Sequence, residues 1–260
     1  MSPALSLCHR ELVRFLRQRH RIIGALATPI VFWLLIGGGM NRSFKSDLPG
    51  GENYLQYFFP GTVLMILLFT AIFSTISVIE DRREGFLQGV LVSPVSRMQI
   101  VLGKVLGGTI LATGQGAVLV AIGSGTIYQP HSFGAGVLLL IAMIVISFAL
   151  TSLGLCIAWP MNSTQGFHAI MNLFLVPMWF LSGALFPTSG AWRGLQWVML
   201  VNPLTYGLAA LRRTLYFRDA ASGGSLPSLT VSLIVSFVFA VVMFAIACAV
   251  ASRQKRVDLE

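Results

Sequence analysis

The sequence predicts an all-α integral membrane protein built on six transmembrane helices, organised as a single transmembrane domain over residues 1–260. Three observations carry this. Mean hydropathy is +0.80 and 55% of residues are hydrophobic, which places the chain in the membrane class. No Asp, Glu, Lys or Arg occurs from Val105 to Trp192, a run with room for three spans of about 20 residues each. The charged residues, 10% of the chain, gather between apolar runs and leave their interiors free. A net charge of +9 invites a nucleic-acid reading, but the basic residues form no continuous stripe, and positive flanks on membrane helices account for them. Cys8, Cys156 and Cys248 are scattered and odd in number, which supports neither a disulfide framework nor a metal site. The first apolar run is too long for a signal peptide and lacks a small-residue cleavage pattern, so it reads as an uncleaved anchor.

Residues 3–21 read as a helix lying in the membrane interface. Arg10, Arg14, Arg17 and Arg21 recur at helical spacing on one face, and Leu5, Cys8, Leu12 and Phe15 or Leu16 fall on another. The first span covers 22–40, with Pro29 in its middle and Gly37-Gly38-Gly39 at its end. The second covers 55–79, opened by an aromatic belt of Tyr54, Tyr57, Phe58 and Phe59.

Five consecutive charges follow, Glu80-Asp81-Arg82-Arg83-Glu84, heading a segment 80–97 that is expected to sit in water or against a soluble partner. Within it Phe86, Leu87, Val90 and Leu91 share helical spacing. The break before the third span reads in two ways. Ser93 can cap a helix with Pro94 at its first position, or Ser96 and Gln99 can form a capping box.

The third span covers 98–127. Lys104 is expected to snorkel to the headgroups, and Gly103, Gly107, Gly108 and Ala112 form a small-residue face for close helix packing. The fourth and fifth spans cover 133–159 and 165–186, the latter containing Pro177. His131 and His168 read as ordinary interfacial histidines. Two short amphipathic pieces occupy 187–217. Twelve residues reach only about 18 Å, so they read as half-helices that enter the membrane and return. The sixth span covers 226–251.

An even number of spans puts both termini on one side. Twelve Lys and Arg then lie on the side of the termini and six on the other, which assigns the termini to the cytoplasm. The sequence holds no phosphate-binding loop: its Gly103-Lys104 is followed by Val105 and lacks the upstream glycine spacing. HExxH, paired CxxC and GxSxG are absent as well, and no carboxylate falls inside a span as drawn. The chain therefore needs an external energy source or is passive.

These residues resemble a known family. Glu84-Gly85-Phe86, Leu91-Val92-Ser93-Pro94-Val95-Ser96-Arg97 and Gly103-Lys104 resemble the segment between the second and third spans of ABC-2-type transporter permeases. Phe180-Leu181-Ser182-Gly183-Ala184-Leu185-Phe186-Pro187, then Asn202-Pro203-Leu204-Thr205-Tyr206 and Leu211-Arg212, resemble the family's fifth span and re-entrant helices. The short loops look most like the drug-, antibiotic- and nodulation-factor-exporting branches.

The resemblance implies a type V exporter-like half-transporter in the bacterial cytoplasmic (inner) membrane. Two copies of the chain, or this chain and a paralogue, would assemble in the lipid bilayer with two separate ATPase subunits. ATP and Mg would sit on those subunits, and no cofactor on this chain, which is itself non-catalytic. The cargo would be a hydrophobic or amphiphilic substrate: a drug, lipid, glycolipid or polysaccharide.

By the same resemblance, segment 80–97 holds the coupling helix. Phe86, Leu87 and Leu91 would enter a groove of the ATPase, Arg83 and Glu84 would rim it, and Gly85, Ser93, Pro94 and Arg97 would shape the element. The path would run between copies, on spans one, two and five, where Phe32, Trp33, Phe58, Phe59, Phe69, Phe73, Met178, Trp179 and Phe180 lie. Pro187, Trp192, Asn202, Pro203 and Arg212 would belong to an outer gate. A non-transporting scaffold or assembly protein and an ion-coupled carrier are the competing readings.

Overall fold

The structure is a computed structural model and describes residues 2–40, 53–125, 127–128, 132–186, 192–216 and 227–253, without the side chains of residues 19–21. Among these it is helical, with no strand. The elements are α1 (Pro3–Arg17), α2 (Arg19–Met40), α3 (Tyr54–Ser74), α4 (Ile76–Arg83), α5 (Phe86–Val92), α6 (Arg97–Gly123), α7 (Phe133–Ala158) and α8 (Thr164–Trp179). A π-helical turn follows at Phe180–Ala184, then α9 (Arg193–Val201), α10 (Pro203–Tyr216) and α11 (Leu229–Arg253). Six helical stretches are long and apolar enough to cross a bilayer: Ile22–Met40, Tyr54–Arg83, Arg97–Gly123, Phe133–Ala158, Thr164–Ala184 and Leu229–Arg253. The chain is an integral membrane protein.

The α3–α4 stretch is the central pole. Residues 57–68 are buried without interruption, and α2, α6, α7, α10 and the π-turn pack around them. Phe58 and Phe59, expected on a path, are both fully buried, Phe58 beside Trp179 and Phe59 beside Trp33. Trp33 and Trp179 are buried too, and each indole donates to a backbone oxygen, Trp33 Nε1 to Leu55 and Trp179 Nε1 to Gly61. These four aromatics build the core. At 1.5 Å per residue this helical stretch of 30 residues is about 45 Å long, more than the hydrocarbon thickness of about 30 Å. The last turns of the pole, carrying Glu80 to Arg83, therefore project past the hydrocarbon.

The pole meets a second packing device at that end. Helix α1 lies along the first turns of α6, and a Cβ added at Gly103 would stand 2.6 Å from the Ala4 carbonyl oxygen. One at Gly107 would stand 2.8 Å from Glu11 Cβ. The small-residue face of the third span thus admits α1. Its buried stripe is Ala4, Leu7, Cys8, Glu11 and Phe15; of the face expected from sequence, Leu5 and Leu16 are exposed. The stripe rotates because the glycine groove needs the small side chains and Glu11 has buried partners. Arg10 and Arg14, expected to share a basic face with Arg17 and Arg21, reach across to α4; the Arg21 side chain lies outside the described residues.

Helix α6 starts at Arg97 with the capping box: the Ser96 hydroxyl accepts from Gln99 N–H, and Gln99 Oε1 accepts from Ser96 N–H. Ser93 does not cap it. That residue ends α5, its hydroxyl donating to the Val90 carbonyl at 2.6 Å. Four residues, Ser93 to Ser96, link the two helices, so the proline falls outside both.

Candidate functional site: a charge-locked coupling helix

Three helices meet where the pole leaves the membrane. Asp81 sits there with none of its surface exposed, although its charged neighbours in sequence had read as a solvated segment. Its carboxylate accepts from Arg10 Nη1 at 3.0 Å and Nη2 at 2.7 Å, from Arg14 Nη1 at 2.7 Å, and from Lys104 Nζ. Lys104 is 5% exposed and also donates to Glu11 at 2.5 Å and Ser77 Oγ at 3.3 Å. It does not snorkel; two buried carboxylates hold it inside. Arg14 continues the network to Glu80 at 2.9 Å and Glu84 at 3.3 Å. A carboxylate without exposed surface stays ionised only where cations and donors replace its water, and here three cations do so. The Asp81 hydrogen bond, in turn, raises the Arg10 pKa above its ordinary value. Asp81 and Glu11 lie outside the spans as drawn, yet both are buried within the protein.

The other face of α4 is also tied down. Arg82 donates to the carbonyls of Trp159 and Met161 and to Asn162 Oδ1, and Arg83 Nε donates to Asn162 O at 3.0 Å. These guanidiniums satisfy the carbonyls left open at the end of α7.

From this fixed base the chain turns at Gly85, whose φ of 75° lies in the left-handed region that glycine occupies without Cβ strain, and α5 begins. Leu87 is 2% exposed and packs with Val78, Ile100, Val101 and Trp159, so it anchors α5 to the body and offers no surface to a partner. Phe86 lies at the surface with Arg10 Cζ 3.7 Å above its ring. Leu91 is half-buried, and Arg83, Glu84, Gly85 and Pro94 are exposed. Two residues outside the expected set are also apolar and exposed: Val92, 87% exposed, and Met98. Glu11, Asp81 and Lys104 were the other omissions. The signal for them was an acid in the small, apolar stripe of α1 and a lysine inside the glycine face of α6.

The remaining residues of interest are spread over α2, α3, α8, the π-turn and α10. Phe32 and Phe180 are exposed, and Met178 is half-buried. Phe69 and Phe73 are half-buried, with ring centroids 5.5 Å apart, and the Phe73 ring lies 5.2 Å from His168. At the opposite end Asn202 caps α10, its Oδ1 accepting from Leu204 N–H at 3.0 Å while Nδ2 donates to Met178 O at 2.6 Å. Pro203 opens α10, Trp192 is exposed, and Arg212 lies over the Tyr57 ring at 4.3 Å. Pro187 lies outside the described residues.

The described residues thus form a multi-pass helical membrane protein with a short charge-mounted helix between its second and third spans. The chain belongs to the ABC-2 type transporter family, whose profile matches residues 4–216. It is 28% identical to the probable multidrug ABC transporter permease YbhR of Escherichia coli K12, over 65% of this chain and 46% of that protein. It is 24% identical to the putative transport permease ycf38 of Cyanophora paradoxa, covering 79% of this chain and 71% of the other. Nodulation protein J of Rhizobium meliloti is 26% identical over 74% of this chain and 72% of its own length. The chain spans about half the length of the E. coli relative.

Proposed function

We propose that this chain is the membrane-spanning permease subunit of an ATP-driven exporter, worked by a separate ATPase that docks on α5. One observation carries the reading: α5, with exposed apolar side chains at Phe86 and Val92, stands on a base, α4, that ion pairs tie to α1 and α6 and carbonyl bonds tie to the end of α7. A helix so mounted passes displacement to the spans, whereas a loop would absorb it. Membership of the ABC-2 family, whose E. coli relative is named a multidrug permease, supports the same assignment.

In this reading the termini and α5 face the cytoplasm of a bacterial cell, and the protein sits in the cytoplasmic membrane. ATP and Mg are held by two ATPase subunits. A second copy of this chain, or a paralogue, completes the membrane part. The cargo is hydrophobic or amphiphilic: a drug, a lipid, or a glycolipid or polysaccharide. The α9–α10 pair closes the outer end.

Co-purification with an ATPase subunit carrying a phosphate-binding loop, in equal numbers of the two chains, is the expected result. Its loss in Val92→Asp, with the permease still folded, locates the contact. A permease that purifies without an ATPase from cells expressing both favours a scaffold.

A further inference from the structure

Charge is balanced at one end of the bundle and not at the other. The described carboxylates, Glu11, Glu80, Asp81 and Glu84, all lie at the α5 end, and every ion pair among the described residues is made there. The opposite end holds Arg193, Arg212 and Arg213 with no described carboxylate beside them. Arg193 is exposed on α9, and Arg213 Nε donates to Pro227 O at 2.7 Å. Arg212 is held differently. It is half-buried on α10, its Cζ 4.3 Å from the Tyr57 ring centroid, and its Nη2 donates to Tyr57 O at 3.3 Å. Its Nε–H is buried without an acceptor. A ring face and one long carbonyl bond hold the guanidinium in place but give it no counter-charge.

We infer that Arg212 is the seat of a phosphate-type anion at the headgroup level of the leaflet opposite α5. The level follows from the pole. Tyr57 stands in the first turn of the Tyr54–Arg83 stretch, which is longer than the hydrocarbon is thick, so that turn comes within reach of the headgroups. A charged side chain at such depth needs a partner, and a phosphate suits this one. Guanidinium meets phosphate through two parallel N–H donors, and the Nε edge of Arg212 has one of them unused. A small outward rotation of the long side chain brings that edge to the anion. The resemblance placed Arg212 near an outer gate; the unpaired charge gives it a ligand. Lipid phosphodiester and free phosphate share the required chemistry. The seat also borders the π-turn, because the Tyr57 hydroxyl donates to Gly183 O at 3.0 Å. An anion that draws Arg212 off the Tyr57 ring thus acts on a residue that pins the π-turn to the pole.

The test is native mass spectrometry of the full chain, purified in dodecyl maltoside and titrated with dioleoylphosphatidylglycerol. Arg212→Gln removes the charge and the fork, and Arg212→Lys keeps the charge alone. Arg193→Gln removes a charge from the same end of the bundle. Affinity for the first bound lipid is expected to fall about tenfold in Arg212→Gln and about threefold in Arg212→Lys, and to stay unchanged in Arg193→Gln. Dioleoylglycerol, which lacks the phosphate, is expected to bind the wild type and Arg212→Gln alike. Wild-type affinity in Arg212→Gln overturns the inference. So does an equal loss in Arg193→Gln, or the same loss for dioleoylglycerol. If Arg212→Gln does not fold, Arg212→Lys decides, with wild-type affinity again contradicting the inference. Competition by millimolar inorganic phosphate assigns the seat to the free anion, and its absence assigns it to the lipid. No ATPase is present, so failure here leaves the exporter reading standing.

Discussion

The Lys104 ammonium and the Asp81 carboxylate meet as an ion pair with almost no surface left to solvent, and Glu11 closes the pair from α1 at 2.5 Å. Three helices that are distant in sequence are thereby joined at the point where the pole leaves the membrane. Removing one partner of a buried pair strands the other charge, at a cost of about 3–5 kcal/mol. Asp81→Asn is expected to lower stability by that order in thermal or denaturant unfolding of the nanodisc-embedded chain. Lys104→Met is expected to cost less in the Asp81→Asn background than alone, because the Asp81 carboxylate it would strand is already gone. Additive losses would show that the two charges do not depend on each other.

Gly107→Leu places a branched side chain where Glu11 Cβ already lies 2.8 Å from a Cβ. Overpacking of this kind costs about 1–3 kcal/mol, and here α1 is the element free to move. Limited proteolysis is expected to cut within 3–17 in the variant and to spare the wild type.

Leu87 and Val92 differ in where they point, and charge separates their roles. Leu87→Asp buries an unpaired carboxylate and is expected to prevent accumulation of folded protein. Val92→Asp places the same charge in water and is expected to leave folding intact, within about 0.5 kcal/mol, while ATPase binding is lost. Size-exclusion profiles of both variants, with and without the ATPase, check this.

Burial, then the Glu11 charge, raises the Cys8 thiol pKa above its ordinary value. A raised pKa leaves less reactive thiolate at any pH below it. In a chain carrying Cys156→Ala and Cys248→Ala, maleimide labelling of Cys8 is expected to stay slow up to pH 8. It is expected to accelerate in Gly107→Leu, where α1 lifts away.

The spans and the capping box at Ser96 were readable from sequence because both are local: an apolar run longer than the bilayer, and a serine three residues before a glutamine. The charge network was not. Asp81 stands among four other charges, and nothing near it in sequence distinguishes it from Glu80 or Glu84. Its burial is decided by Arg10 and Lys104, 71 and 23 residues away. Aromatic type was equally silent on place. Phe58 and Phe73 lie on one helix, yet Phe58 faces the π-turn side and is fully buried, while Phe73 lines a cavity that exists because Gly24 stands opposite. Which side of a central helix meets small residues is a property of the assembled bundle.

The central claim is that α1, α5 and the start of α6 move as one body when the ATPase closes. Spin labels at Leu16 and Gln88, both exposed, allow pulsed electron-electron distance measurements in the assembled transporter. We predict one distance distribution, unchanged between the nucleotide-free and ATP-bound states, and a broadened one in Asp81→Asn. A wild-type distance that shifts by about 5 Å, one helical turn, on ATP binding would contradict the account.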